Sequence, residues 1–301
     1  MFYPYTAIIL KRMDMRFLIL FLLPLSIFAS NISIQVLGSG GPEVAERASA
    51  SYLIKKDGKA LVIIDFGGGA FLRFAQAKAE LDALKLVLFT HLHIDHVVDL
   101  PALMKAGYFS DRTKPLPLIG PSGNDYFPGF NEYLHLQFGP KGAYRYMSDI
   151  LSTQSESFSI KPYEVQDKKS YHFDDIRIIA MPVHHGIVPA IAYRVEIEGK
   201  IIVFSGDTTA QSKNLEELSK GADILIAHHA VSVEACIGAR MLHMTPQRIS
   251  EIASISKPKL LLLSHRMNRT LGLEEKSTRL IQKEYQGKII WAKDLMHIEL
   301  P

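Results

Sequence analysis

The stretch Thr90-His91-Leu92-His93-Ile94-Asp95-His96 constrains this chain more than any other feature. Four potential metal ligands fall within six residues, directly after the apolar run Leu86-Val87-Leu88-Phe89. Neutral imidazole is a common metal ligand, and a carboxylate adds a harder oxygen donor. Alternation along an extended stretch puts His91, His93 and Asp95 on one side. The chain must then turn for His96 to join them, while Leu92 and Ile94 are expected to point the other way, into packing.

Further candidate ligands stand at other strand tips. Met181-Pro182-Val183-His184-His185-Gly186 ends one apolar run, Val203-Phe204-Ser205-Gly206-Asp207-Thr208 a second, and Leu262-Leu263-Ser264-His265 a third. Tips that converge on one sheet edge can hold a site rigidly. Apolar periodicity predicts strands at 32–37, 51–55, 60–65, 86–90, 176–181, 191–197, 201–205, 224–227, 260–264 and 288–292. Helical patterns fall at 70–84, 100–107, 245–256 and 273–285. The third opens with Thr245 as N-cap and Pro246 in the first turn. Such a mix predicts an α/β domain of two sheets with helices outside. Residues 108–146 hold nine of the chain's 28 Phe, Tyr and Trp residues. They are read as a packed excursion or as a wall over the site.

With 301 residues, 48% of them hydrophobic and 22% charged, the chain can bury a core, which excludes a disordered tail or a disulfide-stapled miniprotein. Its net charge of +3 gives no global reason to bind a polyanion. Cys236, the single cysteine, cannot form an intramolecular disulfide and is expected to be a small buried hydrophobe. Lys11, Arg12 and Arg16 precede an apolar run at 17–28 and the small residues Ala29 and Ser30, which is the pattern of a secretory signal peptide. At about twelve residues the run falls short of the roughly 20 that a membrane span needs. The expected organisation is a cleaved signal at 1–30 and one hydrolase domain at 31–301, periplasmic or secreted and with no stable membrane span after cleavage. The alternative is an N-terminal membrane anchor, and translation starts at Met1, Met13 or Met15. Loss of residues 1–30 removes three bases and one acid, so the net charge falls from +3 to +1.

The order HxHxDH, a later His, a Gly-Asp-Thr aspartate and a final Ser-His histidine resembles the metallo-β-lactamase superfamily. Leu37-Gly38-Ser39-Gly40-Gly41-Pro42 and Ile64-Asp65-Phe66-Gly67 resemble its first two motifs. More narrowly, the chain looks like the ribonuclease Z and arylsulfatase-like branch, through Asp99-Leu100-Pro101, Leu118-Ile119-Gly120-Pro121-Ser122-Gly123, Ala192-Tyr193-Arg194-Val195-Glu196 and His243-Met244-Thr245-Pro246. The resemblance implies an αββα sandwich with two divalent ions in a cleft at its edge. His91, His93 and His185 would bind the first ion, Asp95, His96 and His265 the second, and Asp207 would bridge them. His184 is a candidate for supporting a ligand. Nitrogen and carboxylate donors without cysteine favour zinc, with manganese and iron as alternatives.

Two divalent ions that share a water lower its pKa from ~16 towards ~7, which supplies metal-bound hydroxide at neutral pH. Asp95 would also hold the attacking water. His243 would be the general acid, ahead of a helix whose N-terminus attracts anions. In ribonuclease Z that acid is supported by the glutamate of a His-Glu-Ala-Thr run; this chain has His228-His229-Ala230-Val231 there. His229 or Glu234 is left to support His243. Arg266 and Arg269 are candidates to meet an anionic substrate. The expected activity is phosphodiester hydrolysis. The alternatives are an arylsulfatase-like or lactone and β-lactam hydrolase on the same site and, from another class, a metal-binding protein without turnover. A small anionic ester is the expected substrate. No tRNA is expected, because an exported enzyme does not meet precursor tRNA and the chain has no long basic, glycine-rich arm. The branch also implies a homodimer.

Overall fold

Short runs of Ile, Val and Leu make the strands, and their period of two decides how the layers stack. The computed structural model describes residues 1, 30–43, 46–152 and 158–300. The signal-like pattern at 11–30 therefore lies outside the described residues except for Ser30. One sheet holds β1 (Ile32–Gly38), β2 (Ser51–Lys56), β3 (Lys59–Ile64), β4 (Leu86–Leu88), β5 (Leu116–Pro121) and β6 (Ile160–Val165) in that order. The other runs from β7 (Lys169–Phe173) through β8 (Ile176–His185), β9 (Val188–Ile197), β10 (Lys200–Phe204), β11 (Ile224–His228) and β12 (Leu260–Ser264) to β13 (Lys288–Trp291). The last strand, β14 (His297–Glu299), returns to the first sheet beside β1.

Alternate residues separate three apolar layers. Val62, Ile64 and Leu88 meet Ile178, Val195, Ile202, Ile226 and Leu262 between the sheets. Ile63 and Val87 point outward beneath α1 (Ala70–Gln76), α3 (Leu100–Gly107) and α4 (Phe130–Phe138). On the opposite side Val203, Leu225, Leu261 and Leu263 pack under α5 (Asn214–Ser219), α7 (Pro246–Ser256) and α8 (Glu274–Ile281). The result is the αββα sandwich, an α/β fold. Two shorter helices remain: α2 (Ile94–Val97), whose Val97 joins the layer of Ile63 and Val87, and α6 (Ile237–Arg240).

Strand direction places the site. β10 to β13 are parallel, and β8 runs the same way because β9 is antiparallel to both β8 and β10. Their C-terminal ends therefore share one edge, where α/β sheets bind ligands. The other sheet's β4 ends at the same edge: Tyr193 donates to the Phe89 carbonyl at 2.9 Å, and the Ile191 N–H to the Thr90 carbonyl at 2.8 Å.

All ten expected strands form. β5, β6, β7 and β14 are additional. The helix expected over 70–84 stops at Gln76, because Lys78 takes φ +51°, and a 3-10 turn follows at Leu81–Ala83. The aromatic segment is packed only in part: Phe130 and Phe138 of α4 are fully buried, whereas Phe109, Tyr126, Tyr144 and Tyr146 are exposed. Cys236 is exposed, contrary to expectation, because it ends the loop that leads into α6. Among the described residues no helix is long and apolar enough to cross a membrane.

Candidate metal centre

The alternation that begins at His91 stops after His93, where α2 starts. That helical turn carries Asp95 and His96 inward, both buried, and leaves Ile94 exposed. The expected packing of Ile94 is thereby corrected. Gly67 permits the turn: a Cβ there would lie 1.9 Å from the Asp95 carbonyl oxygen. His185 ends β8, Asp207 follows β10, and His265 follows β12 with φ +54°, a strained conformation of a kind found at functional sites.

All seven proposed ligands come together here. Asp207 Oδ2 lies 3.8 Å from Nε2 of His91, His96 and His185, and 3.5 Å from His265 Nε2. On one side His185 Nε2 and His93 Nδ1 are 3.4 Å apart. On the other His96 Nε2 and His265 Nε2 are 3.2 Å apart, and Asp95 Oδ2 lies 3.2 Å from His265 and 3.6 Å from His96. Two nitrogens bound tetrahedrally to zinc at ~2.0–2.1 Å stand roughly 3.3 Å from each other, so both pairs have the spacing of ligands to one ion.

Outer contacts aim these nitrogens. His96 Nδ1 donates to Asp65 Oδ2 at 2.8 Å, and His185 Nδ1 to the Leu242 carbonyl at 2.7 Å. Each bond leaves Nε2 as the lone pair facing the cluster. Asp65 also takes the Thr90 N–H at 2.7 Å and its hydroxyl at 2.8 Å. His91 Nε2 is buried with no hydrogen-bond partner, as a ligand nitrogen would be without its ion. The donor set thus fits divalent metal. Burial holds His91, His93 and His185 below the ordinary histidine value, in the neutral ligating form. Burial would also lower His96, but Asp65 and Asp95 outweigh it and raise it to about 9. Metal binding on that side must displace a proton.

Sequence reasoning missed His228. It ends β11 much as His265 directly follows β12, an apolar strand tipped by a histidine, and that pattern was available. Its Nδ1 donates to Asp207 Oδ1 at 2.7 Å. Its Nε2 faces the buried Tyr52 hydroxyl at 3.2 Å, and that hydroxyl reaches Ser264 Oγ at 2.7 Å. Donor atoms of His96, Asp207, His228 and His265 lie within 4.8 Å of one another. His228 nevertheless spends one nitrogen on Asp207 and turns the other to Tyr52, so it orients the carboxylate.

His243 sits at the cluster's rim, with its buried Nδ1 unpaired and 3.7 Å from Asp207 Oδ2. Burial pushes it down to about 3, opposed by Asp207 and aided by His265 and His185. Neither suggested support reaches it. His229 bonds Ser277 at 3.0 Å and packs edge-on to Trp291, while Glu234 pairs with Lys276. His184 is exposed and contacts Thr209 Oγ1 at 3.1 Å, next to Thr208, rather than any ligand. Arg266 is buried, bonded to Glu274 and stacked on Trp291, so it is unavailable to substrate. Arg269 is exposed and lies near enough to His243 to lower it.

Residues 62–266 match the family described as Beta-lactamase superfamily domain. Among curated relatives, a ribonuclease Z of Mycobacterium sp. (strain KMS) is 30% identical over 252 residues, which cover 78% of this chain and 84% of the relative. The fold is similar to that of the metallo-β-lactamase fold protein YhfI from Bacillus subtilis, with TM-score 0.71, 19% identity, and coverage of 90% of this chain and 99% of the other. It is also similar to that of human tRNase Z, short form, with TM-score 0.68, 20% identity, and coverage of 89% and 99%. The chain belongs to the β-lactamase superfamily, on its ribonuclease Z side, and is a metal-dependent hydrolase.

Proposed function

We propose that the chain hydrolyses phosphodiesters at a two-ion centre, most simply of zinc. The observation that carries this reading is Asp207 Oδ2 lying between two sets of imidazole nitrogens, each spaced as ligands to one ion. His91, His93 and His185 would hold one ion, Asp95, His96 and His265 the other, with Asp207 shared. When bound, such a pair supplies hydroxide at neutral pH and neutralises charge on the phosphoryl oxygens. Asp95 would accept the proton of the attacking water. His243 would give a proton to the leaving oxygen, with no carboxylate of its own behind it.

That last feature has a kinetic consequence. Burial disfavours the protonated form of His243, so at neutral pH it seldom carries a proton to give, and diesters whose leaving group departs without one should be favoured. Over a series of leaving alcohols, kcat/KM is expected to fall by at least a hundredfold from p-nitrophenol to an alkyl alcohol. A flat series would show that His243 donates efficiently.

The relatives' name, ribonuclease Z, speaks for an RNA phosphodiester and does not support a small ester with tRNA excluded. Both substrates share the reaction class. The zinc-loaded full chain is expected to hydrolyse bis(p-nitrophenyl) phosphate faster than p-nitrophenyl sulfate or an aryl lactone. Preference for the sulfate or the lactone would overturn the reading. We also propose export, on the pattern at 11–30; N-terminal sequencing of the protein recovered from its host would find the chain starting near residue 31. A homodimer is proposed as well, with sedimentation as its test.

A further inference from the structure

Exposed apolar side chains stand on the segments that carry or contact the metal cluster. Ile94, Tyr126, Ile187, Ile237 and Met241 are each 57–75% exposed, and each lies in a segment tied to the cluster. Ile94 stands between His93 and Asp95. Phe127, next to Tyr126, packs its ring 6.3 Å from that of His93. Ile187 is two residues past His185, and its carbonyl takes Asn124 Nδ2 at 2.8 Å, which locks the loop of Tyr126 to the turn of Ile187. Ile237 and Met241 belong to α6 and the residue after it. The next residue, Leu242, gives its carbonyl to His185 Nδ1, and the His243 N–H donates to Ala239 of the same helix.

Charge is sparse on this rim. Across 92–98, 124–128, 186–189 and 237–242, the charged residues besides the cluster's Asp95 are one acid, Asp125, and one base, Arg240. Arg269 adds one guanidinium near His243, whereas Lys276 is spent on Glu234. A polynucleotide draws its affinity from many phosphate contacts with Lys and Arg, and this rim offers few. It can instead cover hydrocarbon, which otherwise contacts water at a cost proportional to its area. Exposed apolar side chains grouped on the segments around a polar centre fit a binding surface.

We infer that the substrate carries one anionic ester centre, held at the ions and Arg269, and an uncharged aryl or alkyl group that lies on this rim. Its turnover rests on the phosphodiester reading, but the binding preference can be measured without turnover. Calorimetry on the zinc-loaded full chain would compare methylphosphonate with hexylphosphonate, which share a headgroup and differ in hydrocarbon. The expected result is at least tenfold tighter binding of the hexyl compound. The variants Ile187→Asp and Ile237→Asp should each bring that ratio towards one. Turnover of methyl and hexyl p-nitrophenyl phosphate should show the same ratio in kcat/KM.

Tighter hexyl binding with no turnover of either diester would leave the rim assignment standing and sink the phosphodiester reading. Equal binding of the two phosphonates would overturn the rim assignment, whatever the turnover. So would an RNA oligonucleotide with a kcat/KM above that of the hexyl diester. If Ile237→Asp converts a dimer to a monomer and leaves the hexyl-to-methyl ratio intact, the patch is a contact between copies, and the assignment again fails.

Discussion

Asp207 gives its two oxygens different work. Oδ2 faces the histidine cluster, and Oδ1 accepts from His228 Nδ1. An asparagine at 228 can place its amide nitrogen near the position of Nδ1, whereas leucine cannot donate at all. His228→Leu is therefore expected to weaken zinc binding by about 10–100-fold, the usual cost of losing an outer-shell partner. His228→Asn should stay within a few-fold of the parent in competition with a chromophoric chelator. Equal loss in both variants would mean that His228 ligates metal or merely fills space. His229, its neighbour, supports a second prediction. Burial, helped by Arg266, lowers its pKa from 6.5 to about 4. Between those values the unfolded chain binds a proton that the folded chain refuses, so stability rises with pH across that window. The stability is fully present above 6.5 and is lost as pH falls towards 4, on the order of 3 kcal/mol. His229→Gln keeps a donor for Ser277 and removes the titration. Denaturant unfolding of this variant between pH 4 and 6.5 should have a flatter pH profile than the parent by about that amount, and an unchanged slope would contradict the assignment.

At the scale of elements, the site depends on two sheets meeting at their edge. Gly206, between β10 and Asp207, has φ +58°, and a Cβ there would come within 2.8 Å of Thr90 Cβ on the other sheet. Gly206→Ala combines a left-handed backbone penalty with overpacking, expected to cost about 2–4 kcal/mol in urea unfolding. It should also weaken zinc binding, because Asp207 is displaced. A loss under 0.5 kcal/mol would show that the two edges are loosely joined. The strands that build this edge were legible in the sequence, because β4, β11 and β12 are apolar runs buried on both faces and β8 and β10 carry dense Ile and Val beside them. β6, β7 and β14 were not, because Lys, Glu, Ser and His interrupt their apolar residues, which leaves no apolar run to read. β5 was hidden by Pro117, Gly120 and Pro121, residues that ordinarily mark turns. In the site, the ligands were legible as histidines and aspartates at strand tips. The separation of His229 and Glu234 from His243 was not, because side-chain direction at the end of β11 depends on how Trp291 and α8 pack against it. Ile94 was misplaced for a related reason: strand alternation was carried one residue into a helix.

For the molecule as a whole, one cluster of seven side chains drawn from both sheets implies that metal, fold and activity are linked. The long-range spread of the ligands, from His91 to His265, would make each bound ion of the proposed pair a clamp between the two halves of the sandwich. Export, dimerisation and the nature of the ester bear on where and on what the centre works, but they do not alter this linkage. The most direct test is to strip the full chain with a chelator, confirm by elemental analysis that it is metal-free, and follow hydrolysis of bis(p-nitrophenyl) phosphate as zinc is added back. The two-ion account predicts no turnover in the stripped chain, and activity that rises and levels off at two equivalents of zinc. Turnover in the stripped chain, a plateau at one equivalent, or a silent chain carrying two bound ions would contradict it.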